Sequence, residues 1–179
     1  MTPLALHALR APVLQIPGAD PWYAAPTDPA LSVMTDFRER ASVRVSEAAT
    51  IDAALDHMKH NGVRCAFVVD EARNAVVGLI TAYDILGEKP TRYVEDTRSR
   101  RRDVLVRDIM LGIADWHVVD IREIEQATVR AVARLFDEAH VTHIPVMETG
   151  SRGEPRLRGL LSSARVKRLL SRPAVSAAS

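Results

Sequence analysis

The chain has 179 residues, of which 47% are hydrophobic and 26% charged, with a formal net charge of +1. This is the usage of an ordinary globular protein; it excludes a wholly disordered, collagen-like or charged coiled-coil chain, and near-neutral bulk charge gives no general attraction for polyanions. No apolar run approaches the roughly 18 residues that a membrane-spanning helix needs. Residues 1–30 hold six of the ten prolines. Proline fixes φ and removes a backbone donor, so 1–36 reads as an extended N-terminal arm and lead-in. Leu14, Ile16, Trp22 and Tyr23 within it call for cover from the folded body or a partner subunit. His7, Arg10 and the prolines break the first twenty residues, which do not read as a signal peptide. The single cysteine, Cys65, has no internal disulfide partner and fits a reducing compartment. The expected location is the cytoplasm.

An internal repeat follows. With Thr50 placed over Thr128, an offset of 78, Ile51, Ala54, Leu55 and Met58 match Val129, Val132, Ala133 and Phe136. Both sets are apolar at i, i+3, i+4 and i+7, which predicts one face of a helix, and each helix begins with a threonine suited to N-capping. At the same offset Val63–Asp70 lies over Val141–Glu148, two short apolar runs that predict largely buried strands. The second turn is longer, and the offset becomes 81. Val77–Leu86 then lies over Arg158–Lys167: a strand carrying a glycine, then a helix starting at Thr81 or Ser162. Each copy therefore predicts strand, helix, strand, strand, helix. One copy is too small to bury much core, and two packed sheet against sheet would share one. Residues 91–103 read as a basic, solvated linker. Arg98, Arg100, Arg101 and Arg102 there are surrounded by acids and lack interleaved aromatics, so nucleic acid is not the expected partner. Residues 172–179 read as a frayed tail.

The order of TIDAALDHM, CAFVVD and GLITAYD in the first copy, and TVRAVARLF, HIPVME and GLLSSAR in the second, resembles the cystathionine β-synthase (CBS) domain, which occurs in tandem pairs called Bateman modules. VRDIM before copy two and SVMTDF before copy one resemble the family's lead-in. The resemblance implies an α/β fold of two βαββα repeats, 37–90 and 104–171, packed sheet to sheet about a pseudo-twofold axis. It implies a stand-alone, non-catalytic sensor with no required cofactor. An adenosine-containing ligand (AMP, ADP, ATP, S-adenosylmethionine or NAD) would bind between the copies and signal to an effector protein. A homodimer is the expected assembly. The alternative is a protein-interaction module that binds no nucleotide.

Carried over by the resemblance, Thr81 meets phosphate and Asp84 holds the ribose hydroxyls. A carboxylate can accept from both hydroxyls of a vicinal diol, and helix-start N–H groups favour phosphate. The same two residues also form a capping-box pattern that needs no ligand. Ala48, Val63, Cys65 and Ala66 are candidates to contact adenine, with the register left open. In copy two Ser162 keeps the hydroxyl and Arg165 replaces the acid, beside His143. A guanidinium only donates hydrogen bonds. That second site is degenerate: empty, or one in which Arg165 serves phosphate. The pairs His57/His60 and His140/His143 read as surface or edge histidines, with no metal expected. Cys65 in a buried strand behaves as a small hydrophobe and not as a nucleophile.

Overall fold

A computed structural model describes residues 23–171. The arm residues Leu14, Ile16 and Trp22 and the tail 172–179 lie outside the described residues. After a helical turn at Ala30–Val33, the elements run β1 (Thr35–Asp36), β2 (Arg44–Ser46), α1 (Ile51–His60), β3 (Cys65–Asp70), β4 (Ala75–Thr81), α2 (Ala82–Leu86) and α3 (Lys89–Thr97). They continue with α4 (Val106–Ile109), β5 (Leu111–Gly112), β6 (Val119–Asp120), α5 (Ile121–Gln126), α6 (Val129–Ala139), β7 (His143–Thr149), β8 (Pro155–Ser162) and α7 (Ser163–Leu170). Among the described residues no helix is long and apolar enough to cross a membrane.

The repeated helices follow their periodicity. α1 buries Ile51, Ala54, Leu55 and Met58, and α6 buries Val129, Val132 and Phe136. Their starts are capped alike: Thr50 Oγ1 accepts from the Ala53 amide at 3.3 Å, and Thr128 Oγ1 from the Ala131 amide at 3.4 Å. Strand alternation divides the rest. Ala66 and Val68 point to the helical side of the first sheet, and Ile144 and Val146 to that of the second. Phe67, 3% exposed, and Leu79, 4% exposed, belong to neither helix-side core; they lie on the opposite sheet face, toward the other copy.

Two four-stranded sheets result, in the orders β2-β3-β4-β5 and β1-β8-β7-β6. The lead-ins are exchanged. β5, which precedes copy two, pairs with β4 of copy one; β1, which precedes copy one, pairs with β8 of copy two. Backbone bonds extend the exchange. Ile51 N donates to Val104 O and Val106 N to Ala49 O; equivalently, Val129 N donates to Asp28 O and Ala30 N to Ala127 O. The cores follow suit. Val104, Val106 and Ile109 pack in the first core, and Ala24, Ala30, Val33 and Met34 in the second. The lead-in of each copy thus completes the other's sheet and core. The stretch between the copies also carries a helix, α3, with Pro90 in its first turn and buried.

The exchange requires glycine at two equivalent places. A Cβ on Gly78 would stand 2.7 Å from Met110 Sδ and 2.8 Å from the Leu111 carbonyl oxygen. One on Gly159 would stand 2.7 Å from both Met34 Sδ and the Thr35 carbonyl oxygen. A methionine end can swing away; a paired strand carbonyl cannot. An ion pair adds to the second seam: Arg158 on β8 meets Asp36 on β1. Burial raises the Asp36 carboxyl, but the Arg158 hydrogen bond, the Arg38 amide and both arginine charges outweigh it and hold it below the ordinary range. Gly78→Ala and Gly159→Ala should each lower stability in urea unfolding by about 1–3 kcal/mol, the cost of overpacking. Gly153→Ala is the space control, since nothing lies within 4 Å of the added carbon, although its φ of +81° brings a backbone cost of its own.

Candidate functional site

At the end of β4, Thr81 is 5% exposed and caps α2. Its amide donates to Asp84 Oδ2 at 2.9 Å and its hydroxyl to the same oxygen at 2.7 Å. The Asp84 amide returns a bond to Thr81 Oγ1 at 3.1 Å. The other carboxylate oxygen, Oδ1, lies 2.7 Å from Lys89 Nζ, which also donates to the Ile109 carbonyl at 3.2 Å. The capping box is thus complete, and the first residue of α3 neutralises its acid. Copy two breaks this arrangement. Ser162 caps α7 in position only, with no side-chain hydrogen bond, and Arg165 Nε turns to the Val33 carbonyl at 3.2 Å. A guanidinium cannot accept from the backbone amide of residue 162 as Asp84 accepts from Thr81.

That broken box opens on a cavity of 880 Å³ between the copies. Copy one contributes Val43, Arg44, Val63, Arg64, Cys65 and Phe67, and its lead-in contributes Thr35 and Phe37. Copy two contributes His143, Leu160, Ser162, Ala164, Arg165 and Arg168. Phe37 and Phe67 meet edge to face, with ring centroids 5.5 Å apart, and Trp116 packs on Phe67 at 5.9 Å.

Of the residues marked in the sequence, Val63 and Cys65 line this cavity together with His143, Ser162 and Arg165. Thr81 and Asp84 are not on its lining. Ala66, 1% exposed, points into the helix-side core, because alternation turns it away from the face that Cys65 shares with Phe67. Ala48 is exposed and also off the lining. Phe37, Arg44, Arg64 and Arg168 were not foreseen as site residues. Only Arg168 had a sequence signal, lying one helical turn beyond Arg165.

Two groups here are shifted. Burial, with the Asp84 charge adding to it, pushes the Cys65 thiol up to about 12. It stays protonated at neutral pH and is a poor nucleophile. Burial pushes His143 below its ordinary value, with the Asp84 charge partly opposing. Among the described residues no group of three or more His, Cys, Asp and Glu is placed to hold a metal ion.

Two outcomes follow from this geometry. Thr81→Ala should destabilise the fold by about 1 kcal/mol, the usual cost of a lost cap, while Ser162→Ala, which loses no cap bond, should leave the urea midpoint nearly unchanged. The second concerns pH. A histidine with a lowered native pKa binds fewer protons folded than unfolded, so stability is fully present above the unfolded value, 6.5, and falls as pH drops below it toward the native value. His143→Gln should flatten that acid-side loss, read as urea midpoints between pH 7.5 and about pH 5.5.

A family model for the CBS domain matches residues 32–90. Comparison with curated proteins finds no match. Several solved structures share the fold. CBSX2 from Arabidopsis thaliana, solved in complex with AMP, is 23% identical with a TM-score of 0.53, covering 79% of this chain and 94% of that one. A hexameric CBS-CP12 protein from bloom-forming cyanobacteria is 23% identical with a TM-score of 0.53, covering 79% of this chain and 67% of that one. A CBS-domain containing protein from Agrobacterium tumefaciens is 20% identical with a TM-score of 0.52, covering 73% and 91%. With one copy matched by the family model and both matched in architecture, residues 32–90 are similar to the CBS domain and the chain has the fold of a tandem CBS pair.

Proposed function

We propose that this chain is a non-catalytic regulatory module that binds an adenine nucleotide in the cavity between its copies and signals to a partner protein through a change of shape or association. The observation that carries this reading is the lining of the cavity. Phe37, Val43, Val63 and Leu160 offer apolar and aromatic surface for a base, while Ser162 and the arginines offer donors for phosphate. Its 880 Å³ falls within the roughly 300–1,000 Å³ usual for small-ligand sites. AMP bound to CBSX2 supports an adenine nucleotide as the ligand class. The protonated thiol of Cys65 supports a role without covalent chemistry.

Thr81 and Asp84 offer a second place for a ribose diol. Asp84 Oδ1 is already paired with Lys89, so a ligand there must displace that ammonium. The proposal includes a homodimer and a reducing, cytoplasmic setting. Tyr83 and Leu86 on α2 are 55% and 68% exposed and border a shallow hollow with Leu55, Met58 and Val63, which suits a second copy of the chain.

Thermal unfolding with AMP, ADP, ATP, NAD and S-adenosylmethionine tests the ligand. A ligand of the native state adds RT ln(1 + [L]/Kd), about 2.7 kcal/mol at a hundredfold excess over Kd, and the melting temperature must rise. A rise with an adenine nucleotide, lost in Phe37→Ala, is the expected result. No rise with any of them at millimolar concentration would leave the module as a protein-interaction device.

A further inference from the structure

The two seams are equivalent in backbone and unlike in charge. Asp36 faces Gly159 across β1 and β8, and Gly112 faces Gly78 across β5 and β4, so Gly112 stands where Asp36 does. Arg158, just before Gly159, has Val77 as its counterpart before Gly78. The first seam thus holds its two-residue strand with glycine and valine at these places, and strand exchange needs no charges there. The second seam carries four. Arg158, its side chain 11% exposed, meets Asp36 on one side and Glu148 Oε2 at 3.5 Å on the other. Arg38 Nη2 reaches the same Glu148 oxygen at 2.6 Å. Among the described residues Arg158 Nε is buried without a hydrogen bond. A buried ion pair gains little stability over an apolar pair of the same size, and an unmade bond subtracts more. What the pair does supply is direction, since a planar guanidinium meets a carboxylate in few geometries.

The direction matters because this network holds one wall of the cavity. The connection 37–43 forms neither helix nor strand, and Phe37, Arg40, Ala41, Ser42 and Val43 of it line the cavity. At its β2 end, Phe67 N donates to the Val43 carbonyl at 2.9 Å. At its β1 end the ties run through the network. Phe37 N donates to the Arg158 carbonyl at 3.1 Å, Arg38 N to Asp36 Oδ1 at 2.8 Å, and Arg40 N to the Asp36 carbonyl at 3.0 Å. Phe37 is therefore held by copy two through its main chain and by Phe67 of copy one through its ring. A wall of irregular chain that had to be ordered by its ligand would subtract that cost from affinity.

We infer that Arg158 is a positioning residue for the ligand cavity: paired with Asp36 and Glu148, it fixes Phe37 and the 37–43 wall in the arrangement that receives a nucleotide. This inference rests on the nucleotide-binding reading above and deepens it.

Two measurements on the full chain test it: hydrogen exchange at the Phe37 amide, followed by NMR, and calorimetric titration with AMP and with ATP. Arg158→Met keeps the stem of the side chain and removes its charge. It should speed Phe37 exchange at least tenfold, leave the β3–β4 ladder amides unchanged, and weaken nucleotide binding at least fivefold well below the melting temperature. Asp36→Asn should do the same, and Arg158→Lys should recover part of both. If Arg158→Met does not fold, Glu148→Gln, which keeps the Asp36 pair, should move both readouts the same way by a smaller factor. Unchanged Phe37 exchange in these variants would overturn the inference. So would faster exchange with affinity within twofold of the unaltered chain, because the network would then serve the fold alone. No binding of AMP or ATP by the unaltered chain would sink the nucleotide reading and the ligand role together, and the exchange data would still decide whether Arg158 holds Phe37.

Discussion

Everything in this molecule depends on the exchange of two short strands. β1 and β5 are two residues each, and each completes the sheet of the copy it does not precede. So short a strand cannot hold a sheet edge by its ladder alone. It is held because the residues before it are buried in the same core: Val33 and Met34 before β1, Ile109 before β5, with Met110 packed partly buried against it. Gly78 and Gly159 allow the incoming strand to approach within a distance that no Cβ would permit. The two copies are thus joined by main-chain bonds and shared core as well as by facing sheets. That joint brings Thr35 and Phe37 to the rim of the cavity and gives the cavity walls from both copies.

The pseudo-symmetry makes the single departure from it informative. Both copies start their last helix with a hydroxyl residue after a glycine-bearing strand. In copy one the acid at N3 closes a capping box and recruits Lys89, so the Thr81 hydroxyl and both Asp84 carboxylate oxygens have partners within the protein. In copy two the arginine at N3 leaves the box open, and the 880 Å³ cavity lies there. The N3 side chain closes its own helix start in one copy, whereas in the other it reaches across to the Val33 carbonyl. By resemblance, only copy one keeps the family's acid position, at Asp84. The structure adds that the acid is already engaged.

How far the sequence was legible follows the range of each interaction. Local signals carried well. Thr50 and Thr128 cap their helices, and of the apolar positions read from the repeat Ile51, Ala54, Leu55, Met58, Val129, Val132 and Phe136 are buried, with Ala133 partly so. These depend on residues within one or two turns. The lead-in exchange was not legible, because strands of two residues carry no periodicity and their partners lie more than thirty residues away in sequence. Lys89 reaching Asp84 was missed for a related reason: α3 has no counterpart in copy two among the described residues, so the repeat offers no parallel to it. The arginine cluster was missed because its members come from β2, the turn before β3, and α7, and share no motif; only the Arg165–Arg168 spacing was visible.

The position of those arginines decides what a bound polyanion would do mechanically. A ligand shifts an equilibrium between two arrangements only by binding one better than the other. Arg44 and Arg64 belong to copy one, Arg165 and Arg168 to copy two, and like charges on opposing walls repel. Without an anion, that repulsion disfavours any arrangement that brings the walls closer. With a polyphosphate between them, the same approach shortens attractive contacts on both sides. Under the proposed nucleotide binding, the ligand itself would thereby reverse the sign of the interaction across the seam. The exchanged strands limit the response, since main-chain pairing at β1–β8 and β4–β5 ties each copy's lead-in to the other copy's sheet and opposes separation of the two.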